Sequence, residues 1–337
     1  MSPRKPSVTA QDVARLAGVS RAVVSRALSS NGSISPDARA RVLRAAEELG
    51  YQVNFLAQGL NRQRSHLIGV IVSRISDPFR SALLDALLNE IQRQGFQALV
   101  SEIHSEQDLA HTLRRFTQFR VSGVIVTSGQ PPEALVNECV QQHIPVVGIN
   151  RQPTIPGVDY VCSDNVAGAE LAADQLLRSG CRRFGWLNHS PSTWAGRMRG
   201  EAFSRALQAR GVDVERNLAI LACPEEGYTG GFQAAALADE ALEGIFCANA
   251  QIACGCLDGM RQRGKQAPED YQLIGFDNTP PTAQYSYQLT TLHQDVAAIS
   301  RQTLARLQER TVDPLQPSRT TWVEVTLIHR RTSPFII

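Results

Sequence analysis

Two hydrophobic rhythms divide this chain. Up to about residue 51 apolar residues recur every three or four positions. From residue 66 short apolar runs alternate with longer amphipathic stretches. In the first part Val13, Leu16 and Ala17 fall on one helical face, and Val23, Val24, Ala27 and Leu28 on another, the spacing of two short helices. Thr9 stands where the first helix needs a cap, with Asp12 three positions on in the reciprocal place. Gly18 ends that helix and Ser20 caps the next. A third helix opens at Ser35-Pro36-Asp37 and stops at Gly50, its face of Val42, Leu43, Ala46 and Leu49 closing a three-helix core. Two helices joined by a tight glycine turn predict a helix-turn-helix unit.

Residues 52–65 follow as a hinge. Asn54 can cap a short helix carrying Leu56, Ala57 and Leu60, weakened by Gly59 by about 1 kcal/mol relative to alanine. A helix this short is marginal alone and needs help to form. Leu60 either wedges into a minor groove or packs on the core.

The second rhythm predicts strands at Leu67–Val72, Ala98–Val100, Gly123–Val126 and Pro145–Ile149. A second set lies at Arg183–Leu187, Leu218–Leu221, Gly244–Cys247 and Leu273–Phe276. Helical segments such as Pro78 to Gln94 separate them, and further helices start near Val166, Ala195, Gly230 and Gln251. Near-continuous apolar strands alternating with helices mean parallel sheets covered on both faces. The expected fold class is therefore α/β: an N-terminal three-helix helix-turn-helix headpiece followed by two doubly wound lobes. The expected divisions are a headpiece over 1–51, a hinge over 52–65 and a bilobal core over 66–337. Lobe 1 takes about 66–164 and 291–321, and lobe 2 about 165–290 and 322–330.

Charge sharpens the division. The chain holds 34 Lys/Arg against 32 Asp/Glu, but residues 1–65 alone hold ten against four. The remainder is mildly acidic. A basic segment with a helix-turn-helix pattern suits a phosphate backbone, where counterion release drives binding. Arg21, Ser25 and Arg26 lie on the outer face of the second helix, where they suit base edges and phosphates.

Composition excludes other classes. At 43% hydrophobic and 20% charged the chain has an ordinary globular make-up. It contains no apolar run long enough to span a membrane. The basic start, Met1-Ser2-Pro3-Arg4-Lys5-Pro6, has no apolar region behind it, so no secretory signal is expected. Seven scattered cysteines point to buried thiols in a reducing cytoplasm. Cys254-Gly255-Cys256 lacks partners at zinc spacing, so no metal site is expected.

Polar candidates cluster where strands end, which is where open α/β sheets bind ligands. They are Asp77 and Phe79, Asp164-Asn165, Trp194 and Arg197, Tyr228, Asn249, and Asp277-Asn278. A carboxylate, an arginine and an amide with aromatic walls suit a polyhydroxylated ligand. Each also has a plainer reading: Asp77 and Asp164 can merely cap helices, and Arg197 can be solvated.

Taken in order, these features resemble the lactose repressor/galactose repressor family of bacterial transcription factors. Asp12-Val13-Ala14, Ala17-Gly18-Val19-Ser20, Val24-Ser25-Arg26 and the Asn54/Ala57/Leu60 hinge carry the likeness most specifically. The resemblance implies a cytoplasmic homodimer on double-stranded operator DNA, with a core like the periplasmic binding proteins. It places the base-reading pair at Arg21 and Ala22, a major-groove arginine at Arg26 and phosphate contacts at Ser20 and Ser25. Leu60 becomes the leucine that enters the minor groove. The DNA-facing candidates are thus Thr9, Ser20, Arg21, Ala22, Ser25, Arg26, Asn54, Ala57 and Leu60. In the core it implies Arg197, ahead of Gly200, as the ligand clamp, Asp277 as the ligand aspartate, Tyr228 as the aromatic wall and Gln294 after the crossover. The ligand candidates are Asp77, Phe79, Cys162, Trp194, Arg197, Tyr228, Asn249, Asp277 and Gln294.

Two departures stand out: Val23 replaces the usual threonine, and Ala250 follows Asn249 where aspartate is common. No heptad tail follows Trp322–Leu327, so a dimer is expected over a tetramer. The implied function is a repressor of carbon utilisation released by a sugar or sugar derivative. A co-repressor-dependent or nucleoside-responsive regulator is the alternative. No catalytic residue or cofactor is expected. An enzyme is disfavoured by the absence of G-x-G-x-x-G after a first strand and of G-x-x-x-x-G-K. An exported solute-binding protein is disfavoured by the basic headpiece.

Overall fold

The computed structural model describes residues 8–28, 34–51, 65–127, 133–190, 192–239 and 241–335. Asn54, Ala57 and Leu60 of the hinge lie outside the described residues. The chain divides into two units, Met1–Ser65 and His66–Ile337.

The first unit holds α1 (Ala10–Ala17), α2 (Arg21–Ala27) and α3 (Pro36–Glu48). The caps explain the boundaries. Thr9 and Asp12 form a reciprocal capping box, Gly18 closes α1 in the left-handed region at φ 63°, and Ser20 and Ser35 accept from the backbone at positions 23 and 38. Val13, Ala14, Ala17, Val24, Ala27, Val42, Ala45 and Ala46 form the core. Three expected core residues do not join it: Leu16 is 47% exposed, Leu43 is 50% exposed, and Val23 is only half-buried, while Leu28 and Leu49 pack against its edge. Ala14 and Ala45 occupy the interior instead, because helices this close accommodate only small side chains at the contact.

The second unit begins with β1 (Leu67–Val72), α4 (Pro78–Arg93), β2 (Gln97–Glu102), α5 (Glu106–Gln118), β3 (Gly123–Val126), α6 (Glu133–Gln141), β4 (Val146–Ile149) and β5 (Asp159–Ser163). It continues through α7 (Asn165–Arg178), β6 (Phe184–His189), α8 (Trp194–Ala209), α9 (Val214–Asn217), β7 (Leu218–Cys223), α10 (Gly227–Ala234), β8 (Gly244–Cys247), α11 (Ala250–Gln262), β9 (Gln272–Asp277) and β10 (Thr290–Gln294). The last elements are α12 (Val296–Val312), β11 (Thr320–Val323) and β12 (Val325–Ile328).

These strands make two six-stranded sheets, ordered β11-β5-β4-β3-β1-β2 and β12-β10-β9-β8-β6-β7. The pairs are parallel except β10 with β12. Each sheet has its own apolar core, lobe 1 burying Ile71, Phe116 and Val124, and lobe 2 burying Phe203, Phe246 and Phe276. The lobe boundaries differ slightly from expectation. Residues 290–293 pair with β9 and Gln294 with β12, so the chain leaves lobe 2 after Gln294 and not at 291. Residues 320–323 pair with β5, so it returns after Val323 and not after 321. Asp164 and Asp295 stand at two of the three crossovers, each capping the helix beyond it.

One buried ion pair ties lobe 1 together. Arg310 on α12 donates to both carboxylate oxygens of Asp159 at 3.0 and 2.6 Å, and the two side chains are only 4% and 2% exposed. The Arg319 amide donates to the same carboxylate at 2.8 Å, so β5, α12 and the approach to β11 share one anchor.

Candidate functional site

The headpiece offers the first site. Helix α2 buries Val24 and Ala27 and leaves Arg21, Ala22, Ser25 and Arg26 exposed. Thr9 and Ser20 are exposed cap residues: the Thr9 hydroxyl donates to Asp12 at 2.7 Å, and the Ser20 hydroxyl accepts from the Val23 amide at 3.4 Å. Arg26 is braced along its own helix by Nε donating to the Ala22 carbonyl at 3.3 Å. The helix thus turns two guanidinium groups, a hydroxyl and a methyl outward, a set that can read base edges in a major groove.

The second site is a cavity of about 360 Å³ between the two lobes at the carboxyl ends of the strands. Four helix N-termini border it, that of α10 at Glu226–Gly227 and three capped by side chains. Asp77 caps α4, Thr193 caps α8 and Asn249 caps α11, and Asp77, Phe79, Thr193, Gly196, Asn249 and Ile252 all line the cavity. Asp77 therefore does what its plainer reading supposed and still faces the cavity. A Cβ at Gly196 would lie 2.8 Å from the Asn188 side-chain nitrogen, so a larger residue there would displace that amide from the cavity wall.

At the floor sit Arg199 and Asp277. Their side chains are 7% and 8% exposed and 3.7 Å apart. Arg199 also donates to Asn165 Oδ1 at 2.7 Å and to the Ala248 carbonyl at 2.6 Å, and its guanidinium lies 3.4 Å over the Phe276 ring. Burial pushes the Arg199 guanidinium down to about 10. Burial also raises Asp277 to about 6, opposed by Arg199 and reinforced by Asp77. Gln294 joins the lobes at this point. Its amide donates to Asp277 at 2.7 Å, and its oxygen accepts from Ser163 at 2.6 Å and Asn150 at 3.2 Å. Across the cavity Arg74 of lobe 1 pairs with Glu226 of lobe 2, and His189 Nε2 lies 3.9 Å from the same carboxylate.

The cavity gathers Asp77, Phe79, Asn249, Asp277 and Gln294 but not the other four ligand candidates. Arg197 is exposed, and its guanidinium donates to the Ser192 carbonyl at 2.8 Å. The arginine that enters is Arg199, because it shares the inward stripe of α8 with Gly196, Ala202, Phe203, Ala206 and Leu207. Cys162 is buried in the lobe 1 core and its thiol meets the Arg151 carbonyl at 3.6 Å. Trp194 packs against that core and beside Trp322, ring centroids 6.5 Å apart. Tyr228 turns to Asp258, donating at 2.9 Å, and stacks on Phe232. Residues missed from sequence are Arg74, Arg80, Thr127, Asn150, Arg151, His189 and Glu226. Asn150 and Arg151 directly follow β4, so the strand-end rule that found Asp77 and Asp277 would have found them. Among the described residues no cluster of metal-ligating side chains exists, and no helix is long and apolar enough to cross a membrane.

A helix-turn-helix reader carried with a two-lobed ligand cleft defines a DNA-binding transcriptional regulator with a small-molecule sensor. Residues 9–54 match the model of bacterial regulatory proteins of the lacI family, and residues 173–333 match the periplasmic binding protein-like domain. The HTH-type transcriptional regulator GalS of Salmonella typhimurium is 33% identical over 298 residues, covering 87% of each chain. A lacI-family regulator from Enterococcus faecium, solved with bound ribose, superposes at TM-score 0.72 with 26% identity, over 80% of this chain and all of that one. The lac repressor dimer on operator with an anti-inducer superposes at TM-score 0.84 with 23% identity, over 98% of this chain and all of that one, a likeness of fold. The chain belongs to the lacI family of bacterial regulatory proteins. Its relatives are transcriptional regulators, not enzymes.

Proposed function

We propose that this protein is a cytoplasmic homodimeric repressor, released from its operator when a sugar or sugar derivative fills the interlobe cavity. The observation that carries this is the Gln294 bridge. One side chain holds Asp277 of lobe 2 and Ser163 and Asn150 of lobe 1, so a ligand engaging Asp277 acts on the contact that sets the lobe angle. A ligand that prefers one lobe arrangement shifts the population toward it. In this reading Arg199, Asp277, Asn249 and Gln294 hold hydroxyl groups, and Asp77 and Phe79 close the lobe 1 side. Ser20, Arg21, Ala22, Ser25 and Arg26 engage the major groove, and Asn54, Ala57 and Leu60 act in the hinge. Sugar-binding relatives and neighbours support an inducing sugar: one relative is a ribose operon repressor, and one solved neighbour is a regulator–cellobiose complex.

The test is a gel-shift titration of the full chain on the DNA flanking its own gene, repeated with a panel of sugars. Retarded operator freed by one sugar is the expected result. No DNA retained even at low salt would end the proposal, and a sugar that tightens binding would reverse its sign.

Two further outcomes are expected. Arg26→Ala lowers operator affinity by about 1–3 kcal/mol, the worth of a good bidentate base contact. Binding to random DNA falls less, and an unchanged ratio of operator to random affinity would remove Arg26 from base reading. Second, effector affinity depends on pH through Asp277. Its folded-state pKa is raised to about 6, so the buried carboxyl protonates as pH falls through that value. An effector hydroxyl donates to the ionised form, so affinity weakens below pH about 6, by up to about tenfold per unit. The linkage to stability has the opposite sign. A raised acid makes the folded core gain stability as pH drops from about 6 toward 4. Calorimetric titration at pH 5 and 7 reads the first effect, and affinity unchanged between them would take Asp277 out of ligand contact.

A further inference from the structure

We infer that the effector carries an anionic group, a carboxylate or a phosphate ester, seated on lobe 1 while its hydroxyls face lobe 2. This rests on the cavity being the effector site. The lobe 1 wall carries Arg74, Arg80 and Arg151 together. Arg74 is matched by Glu226, and Arg199 on the opposite wall is matched by Asp277. Arg151 has no carboxylate within ion-pair distance among the described residues. One terminal nitrogen donates to the Thr127 carbonyl at 2.6 Å, while its Nε is buried with no hydrogen-bond partner. A buried guanidinium donor left unmade is costly and implies an acceptor that arrives from outside.

The electrostatics agree. Burial, and after it repulsion from Arg80 and Arg74, lowers Arg151 to about 10. Arg80 is lowered by burial and then by Arg74. Asp77 and Asp277 offset part of the repulsion at Arg80, and a neutral sugar brings no charge against the remainder, whereas an anion does. Guanidinium forks also match carboxylate and phosphate geometry through paired N–H donors.

The test is calorimetric titration of the full chain with matched ligands. D-Glucose, D-galactose and D-ribose are compared with their aldonates and with their terminal phosphate esters, and inorganic phosphate serves as the bare anion. At least one anionic member should bind at least about tenfold more tightly than its neutral parent. Arg151→Gln should erase that preference, and Arg151→Lys should retain part of it. Should Arg151→Gln fail to fold by thermal melting, Arg80→Gln gives the same reading from the neighbouring guanidinium. The aldonate and phosphate arms separate the two kinds of anion. Neutral parents binding as tightly as their anions, or no anionic member binding at ~10 mM, overturns the inference. A neutral sugar that frees operator DNA would do so while leaving the repressor reading intact. Failure to bind DNA at all would strike that reading alone.

Discussion

Arg199→Ala is expected to abolish the response to effector while operator binding in its absence persists. The guanidinium is the central cation of the cavity floor, held by Asn165, the Ala248 carbonyl and the face of Phe276. Removing it takes away the ligand's charged donor and strands Asp277, a buried carboxyl already raised to about 6. Truncating one partner of a buried charge pair costs about 2–5 kcal/mol, or roughly 30-fold to several-thousand-fold in affinity. Calorimetry should show effector affinity falling by about 100-fold or more, and a gel shift should show operator no longer released. Arg197→Ala is the matched control, since that side chain is exposed and meets only the Ser192 carbonyl. It should respond like the parent. The reverse pattern would return the clamp to Arg197 and empty the cavity of its assigned role.

The second large effect concerns stability. Arg310→Ala leaves Asp159 charged and buried with only the Arg319 amide as partner. Breaking a buried pair by removing one member costs about 3–5 kcal/mol, because the remaining charge keeps its desolvation penalty. Asp159→Leu combined with Arg310→Met should recover much of that loss, since neither charge then remains. Urea unfolding of the core, followed by fluorescence of Trp322 on β11, measures both variants. A single variant that loses less than about 1 kcal/mol would show that water reaches the carboxylate.

Much of this architecture is legible in the chain because its signals are local. Thr9 with Asp12, Ser20, and Ser35 before Pro36 each name a helix start by hydrogen bonds made within three residues. Strands β3 and β8 read clearly as apolar runs buried throughout, and β1 is buried beyond Leu67. Asp77, Asn249 and Asp277 follow strands, so the topology alone delivers them to the cavity. The clamp was misplaced by the rotation of a helix about its axis. Arg197 and Arg199 lie about 200° apart on α8, and only the phase set by Ala202, Phe203 and Ala206 shows which one turns inward. Tyr228 is drawn away by Asp258, thirty residues on, a partner invisible to local pattern. Leu16 and Leu43 suited the headpiece core by periodicity, yet close helix contact selected alanines. Arg151 follows β4 and lay within reach of the strand-end rule, but its meaning shows only in the company of Arg74 after β1 and Arg80 on α4.

The interleaving of the sheets imposes an order on biosynthesis. Strands β11 and β12 each close an edge of a different lobe, and both are made after residue 319. Neither sheet can be completed until the ribosome has translated almost the whole core. The three-helix unit needs nothing beyond its own first fifty-one residues to form its interior. On the nascent chain the DNA-reading end is therefore mature long before the ligand-binding core.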